Sequence, residues 1–251
     1  MSEAASPTAK VALVTGAARR IGAAIARRLH ADGYVLGLHY RSSQAGMDAL
    51  LAELNAARPG SAIGLQANLS EFDRLPEVVA KTVGHFGRLD ALVNNASSFF
   101  ATPIGTATPA QWDELFASNA RAPFFLAQAA APHLRASRGG IVNLGDIHGE
   151  QPLADHAVYG AAKAALLMLT KSLALELAPE VRVNVIAPGA ILWPENNDHD
   201  EIRKADMLVR TPLARLGTPA EIAETVRWLL RDATYMTGQV LRVDGGRTLA
   251  S

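Results

Sequence analysis

A doubly wound, mostly parallel seven-stranded α/β sheet is the fold this sequence predicts, and two observations carry the prediction. Short aliphatic runs alternate with stretches whose apolar residues recur at helical spacing, and the alternation persists along most of the chain. Tight glycine-bearing turns separate the two kinds of segment, which is the order of parallel βαβ units rather than of antiparallel hairpins. With 251 residues and 49% apolar content, the chain suffices for one core. No repeat, low-complexity tract or linker divides it, so residues 11–251 read as one domain behind a flexible tail at 1–10.

Lys10 to Thr15 reads as the first strand, TGAARRIG as its turn, and Ile21, Ile25 and Leu29 as a helix running to Gly33. Tyr34 to His39 is a second strand, closed by Tyr40, Arg41, Ser42 and Ser43. The helix after it stops at Pro59 and Gly60. Ser61 to Gln66, Glu71 to Phe86 and Ala91 to Asn94 follow as strand, helix and strand. Pro109 to Arg135 reads as one long helix kinked at Pro123. Ile141 to Leu144 and Val181 to Ala187 complete the central strands, with an alanine-rich helix opening near Asp155 between them. After Pro188 and Gly189 the pattern breaks into a polar insertion at about 190–212, expected to form a lid over a site. Pro219 to Arg231 is the last helix and Gln239 to Val243 the last strand.

Twenty-four basic residues balance twenty-four acidic ones, so no broad positive field argues for nucleic acid or an anionic membrane surface. Cysteine is absent, which excludes disulfides and thiolate chemistry and suits a cytoplasmic setting. The seven histidines lack metal-ligand spacing, and no metal is expected. The first ten residues include Glu3 and no apolar core, unlike a secretory signal. No apolar run is expected to span a bilayer.

Tyr159 and Lys163 stand four apart on the alanine-rich helix, so phenol and ammonium share one face. Such a pair is also ordinary on solvated helices, so its placement decides its meaning. A nearby positive charge favours phenolate and is expected to lower the tyrosine pKa. Asp146, on the adjoining loop, supplies a third titratable group. A proton-delivery unit of this kind needs a hydride or electron source. The first turn offers a phosphate site: Gly16 permits the tight turn, Gly22 close helix packing, and the helix start presents free N–H groups. Arg20 occupies a place where the three-glycine dinucleotide fingerprint has glycine. No acid lies between Tyr34 and Ser43 to take ribose hydroxyls, whereas Arg41 with Ser42 suits a 2′-phosphate, which favours NADPH over NADH.

TGAARRIG, the run Asn94, Asn95, Ala96, then Asn119, Tyr159 with Lys163, and the pairs Val183–Asn184 and Pro188–Gly189 together resemble the short-chain dehydrogenase/reductase family over essentially the whole chain. The resemblance implies a Rossmann-type domain in which Tyr159 donates the proton. It further implies that Lys163 holds the nicotinamide ribose and lowers the tyrosine pKa, while Asn119 supports a relay water. Asn68 would lie near the adenine and Asn95 near the cofactor ribose. Asp146 departs from the family pattern, which has serine there; Ser97, Ser98 and Phe99 depart from a usual glycine, and the threonine usual after Pro188–Gly189 is missing. With the HYRS end of strand two and NNASSF, these departures resemble the pteridine reductase branch.

That resemblance implies NADPH-dependent reduction of pterins or folates, with Asp146, Tyr159, Lys163 and Asn119 as the catalytic group. The cofactor would touch Gly16, Arg20, Ile21, His39, Tyr40, Arg41, Ser42, Asn68, Leu69, Asn95, Ala96, Tyr159, Lys163, Pro188 and Gly189. The pterin would meet Arg20, Ser97, Phe99, Asp146 and Tyr159, lying flat against Phe99. A homotetramer built through helices 109–135 and 155–177 and the last strand is also implied. The alternatives are a dihydromonapterin or dihydrofolate specialist, an NADPH-dependent carbonyl reductase, and a non-catalytic NADPH-binding module.

Overall fold

A computed structural model describes residues 9–192, 205 and 207–250. In chain order it contains β1 (Val11–Val14), α1 (Arg20–Ala31), β2 (Val35–Tyr40), α2 (Gln44–Ala57), β3 (Ala62–Gln66), α3 (Arg74–Phe86) and β4 (Ala91–Asn94). There follow α4 (Pro109–Phe116), α5 (Ala122–Ser137), β5 (Gly140–Leu144), α6 (Ala157–Leu177), β6 (Arg182–Pro188), α7 (Pro219–Arg231) and β7 (Val240–Val243). The sheet order is β3-β2-β1-β4-β5-β6-β7, and among the described residues every neighbouring pair is parallel. Strand order reverses between β1 and β4, and a ligand crevice is expected beyond the carboxyl ends of strands at such a reversal.

Alternation along the strands feeds two cores. In β1, Ala12 and Val14 face the layer that includes residues of α1, α2 and α7, while Val11 and Leu13 face the layer that includes α3, α5 and α6. Burial on both faces explains why these strands read as continuous aliphatic runs.

One expectation changes. The segment 109–135 is not one helix kinked at Pro123: a π-helical turn, Ala117–Arg121, divides α4 from α5. The helical backbone runs on through Arg121 and Ala122 into Pro123, whose missing N–H interrupts the ladder directly after the wide turn. The helix α6 is long and apolar enough to cross a membrane by length and composition alone. Half of that window is buried, and α6 packs on β6 as a core helix that also carries the buried Lys163.

The turn after β1 is anchored from both neighbouring strands. Thr15 Oγ1 accepts the Asn95 N–H at 2.9 Å and the Ala96 N–H at 3.0 Å, while Asn95 Nδ2 donates to the carbonyls of Thr15 (2.9 Å) and Gly16 (3.0 Å). Gly16 adopts a φ of +62°, and a Cβ there would sit 2.9 Å from Ala96 Cα. From β2, His39 Nδ1 accepts the Gly16 N–H at 3.2 Å and Nε2 meets the Ala67 carbonyl at 3.1 Å. A carbonyl only accepts, so the ring proton sits on Nε2 and the imidazole is neutral in the folded chain.

Burial holds His39 down to about 4, against an ordinary 6.5, with the Ala67 bond pulling the other way. Between those values the unfolded chain binds a proton that the native ring refuses, so stability falls as pH drops from about 6.5 to about 4, by an order of about 3 kcal/mol from this group. Urea melts from neutral pH down to about pH 4.5 should show a smaller loss of stability in His39→Gln than in the unsubstituted protein. Equal losses would contradict the role given to the imidazole.

Candidate active site

The first turns of α6 place Tyr159 and Lys163 beneath the carboxyl end of β5. Lys163 is 3% exposed, and its Nζ donates to the Leu144 carbonyl at 2.9 Å, clamping the helix to the strand end. Burial lowers its pKa to about 8, opposed by the charge of Asp146. One loop residue beyond β5 comes Asp146, extended at φ −164°, at the head of a 3-10 turn, Ile147–Gly149. Its Oδ1 accepts the His148 N–H at 2.9 Å and its Oδ2 accepts the Tyr159 hydroxyl at 2.6 Å.

That last contact overturns the expectation that Lys163 draws the tyrosine pKa down. Burial first, then the charge of Asp146 and the hydrogen bond to it, push Tyr159 well above 10, with the Ser97 hydroxyl opposing. Lys163 Nζ lies 5.7 Å from the Tyr159 ring centroid and is occupied by the Leu144 carbonyl, whereas the carboxylate touches the phenol directly. Tyr159 therefore stands as a protonated phenol at neutral pH.

A second layer comes from the π-helical turn. Asn119, 1% exposed, accepts the Ser97 hydroxyl at 2.7 Å and donates to the carbonyls of Ser98 and Leu115, each at 2.9 Å. Its amide braces the loop after β4, and Ser97 links it to Tyr159. On that loop Phe99 is 53% exposed, with its ring 4.8 Å from that of Tyr159 at 84°. Phe100, Leu115, Phe116 and Val158 pack around the tyrosine and exclude water from it.

A cleft of about 560 Å³ opens at the strand-order reversal. Its walls take Gly16, Arg20 and Ile21 from the first turn, and His39, Tyr40, Arg41 and Ser42 from the end of β2. Asn68 and Leu69 after β3, and Asn95, Ala96 and Ser97 after β4, complete the predicted members. Tyr159, Lys163, Pro188 and Gly189 do not line this cleft; Pro188 ends β6, and the Gly189 N–H is bonded to Val243 at 3.0 Å. Ser97 belongs to both regions. Most of the expected lid at 190–212 lies outside the described residues; of its near end, the Leu192 carbonyl meets Arg20 Nη2 at 3.5 Å.

The cleft suits a dinucleotide. The first turn of α1 contains no acid and has no side-chain cap, leaving its N–H groups to an anion. At Gly22 a Cβ would fall 2.1 Å from the Gly16 carbonyl, so the turn excludes side chains where a pyrophosphate would approach. Arg20 holds a left-handed φ of 53° in the glycine's place, at a cost of about 1 kcal/mol that sets its guanidinium in the cleft wall.

Sequence reasoning passed over Thr15, which it quoted in the turn without a role, and His156, which stacks on Phe99. The threonine's position after an aliphatic strand was a usable signal. Nothing local to His156 pairs it with a residue so distant in sequence.

A family model described as enoyl-(acyl carrier protein) reductase matches residues 16–248. Pteridine reductase 1 of Leishmania tarentolae is 40% identical, covering 97% of this chain and 98% of its own. The 3-oxoacyl-(acyl-carrier-protein) reductase of Staphylococcus aureus is 38% identical, over 94% of this chain and 97% of its own. Nearly equal likeness to reductases of different substrates leaves the substrate to the site itself, but the full-length matches and the parallel sheet agree on what kind of protein this is. The chain belongs to the short-chain dehydrogenase/reductase family and is a nicotinamide-dependent oxidoreductase.

Proposed function

We propose that the protein reduces pterins or folates with NADPH, as a pteridine reductase. The observation that carries this reading is the 2.6 Å bond from the Tyr159 hydroxyl to Asp146, at a position where the resemblance implies serine. A serine hydroxyl donates to the oxygen of a carbonyl being reduced. A carboxyl group against the tyrosine instead forms a proton relay, which suits reduction of a ring C=N bond, where carbon takes a hydride and nitrogen a proton.

NADPH, when bound, supplies the hydride. Tyr159 turns its O–H from Asp146 toward the substrate nitrogen and gives up the proton, and a proton from solvent, relayed through the Asp146 carboxyl group, restores the phenol across the same contact. The high pKa of the buried phenol keeps that proton in place until a substrate accepts it. Lys163 holds the nicotinamide ribose, and Asn119 with Ser97 keeps the loop in register. Phe99 offers an exposed aromatic face to a flat bicyclic ring, and Arg20 with Ser97 meets its polar edge.

Arg41 and Ser42, both exposed at the end of β2 in the cleft wall, receive the 2′-phosphate. Asn68, Leu69, Asn95 and Ala96 flank the adenosine, and Pro188 with Gly189 backs the nicotinamide. A homotetramer through α4, α5 and α6 is consistent with exposed apolar side chains such as Trp112 at 48%, Met168 at 61% and Leu175 at 82%. A carbonyl reductase is the second reading, favoured by the likeness to the acyl-carrier-protein reductase.

Asp146→Ser should lower pterin turnover by about 100-fold or more while NADPH still binds, read as kcat beside a fluorescence titration of the cofactor. Unchanged turnover would remove Asp146 from the reaction. Arg41→Ala should raise the KM for NADPH about 10- to 100-fold, the loss of charge-assisted bonds to a phosphate, and leave the KM for NADH nearly unmoved. Parallel losses with both nucleotides would refute that assignment. Light scattering of the purified protein should give four times the chain mass; a monomer would exclude the assembly.

A further inference from the structure

His156 lies at the start of α6, where its side chain makes no capping bond to the helix. Its Nδ1 is 2.7 Å from the Ala154 carbonyl, and since a carbonyl only accepts, the ring donates through Nδ1 and its orientation is fixed. The imidazole is stacked on Phe99, with centroids 4.7 Å apart and planes 16° from parallel. Phe99 meets Tyr159 at nearly a right angle, so three rings, from the loop after β4 and the start of α6, form one continuous wall.

The backbone holds the two loops in this register. The Thr102 N–H donates to the Asp155 carbonyl at 2.6 Å, and Thr102 is 1% exposed. Asp155 takes a left-handed φ of 59°, a conformation that few residue types accept, and this turns the chain so that the next residue reaches across to Phe99. A half-exposed phenylalanine on a loop would otherwise sample several rotamers; one covered face and one perpendicular neighbour select a single orientation.

We infer that His156 is a positioning residue that backs Phe99, fixing the ring so that its other face receives a flat bicyclic substrate. The inference rests on the pterin reading for the identity of that substrate, and on the stack alone for the positioning. It sets specificity through KM: a substrate with a planar face gains from a ring held ready, because the ordering of Phe99 has already been met in the free protein.

The test has two arms. In the first, aromatic proton NMR of the protein with labelled phenylalanine, assigned through Phe99→Leu, should show Phe99 ring signals whose ring-current displacement is lost in His156→Ala and regained in His156→Tyr. In the second, His156→Ala should raise the KM for dihydrobiopterin about three- to tenfold, the loss of one aromatic pair, with kcat within about twofold, and His156→Tyr should restore it. Unmoved Phe99 signals, an unchanged KM, or a KM that falls because the imidazole competes for the substrate face would each overturn the inference. If the unsubstituted protein reduces no pterin, the proposed function fails while the NMR arm still decides whether His156 orders Phe99; a planar quinone then replaces dihydrobiopterin in the KM comparison.

Discussion

The bond from the Tyr159 phenol to Asp146 is the contact the rest of the site is arranged around. The phenol is buried where charge is expensive, and neither group can be placed by its own element alone. The carboxylate hangs from the end of β5, and its second oxygen is held by the His148 N–H at 2.9 Å. The phenol comes from α6, whose distance from β5 is set by Lys163 on the Leu144 carbonyl. Deeper in the same interface, Asn94 donates to Asn143 and Asn143 to Thr170, each at 2.9 Å, which joins β4, β5 and α6 by buried polar bonds. Such bonds add modest net stability, but leaving one unmade in a dry interior is costly, so they fix the register of helix against strand.

A second constraint acts at the strand-order reversal. There the turn after β1 must be tight, open at its N–H groups and closed to side chains, and glycine alone does not achieve that. Thr15, Asn95 and His39 bring three strands onto one turn, and the neutral state of His39 is part of the arrangement. The cleft and the Tyr159–Asp146 pair meet at Ser97, which lines the first and bonds to the Asn119 that braces the loop beside the second.

Periodicity made most of this legible. Aliphatic runs buried on both faces announced the strands, and Ala91–Asn94 and Pro219–Arg231 carry the ends expected of them, the helix because Thr218 and Glu221 form a capping box ahead of Pro219. The single long helix at 109–135 is interrupted by a π-helical turn, whose signature is the Ala122 N–H on the Ala117 carbonyl five residues back, a widening that apolar spacing does not announce. Spacing also put Tyr159 beside Lys163 correctly, yet it could not say which neighbour dominates the phenol. That depends on a loop carboxylate at 2.6 Å, and loops obey no period. The pairing of His156 with Phe99 was hidden for the same reason: two irregular segments meet only because Asp155 takes a left-handed turn.

The most direct measurement is NADPH oxidation by the purified protein, followed by absorbance, against oxidised and dihydro pterins and folates beside small ketones and acyl thioesters. A proton relay through Asp146 next to a planar aromatic wall predicts that kcat/KM for the pterins exceeds that for the carbonyl compounds by at least about 100-fold, the scale of one well-placed general acid. Turnover confined to the carbonyl compounds would contradict the account and return Asp146 and Phe99 to structural roles.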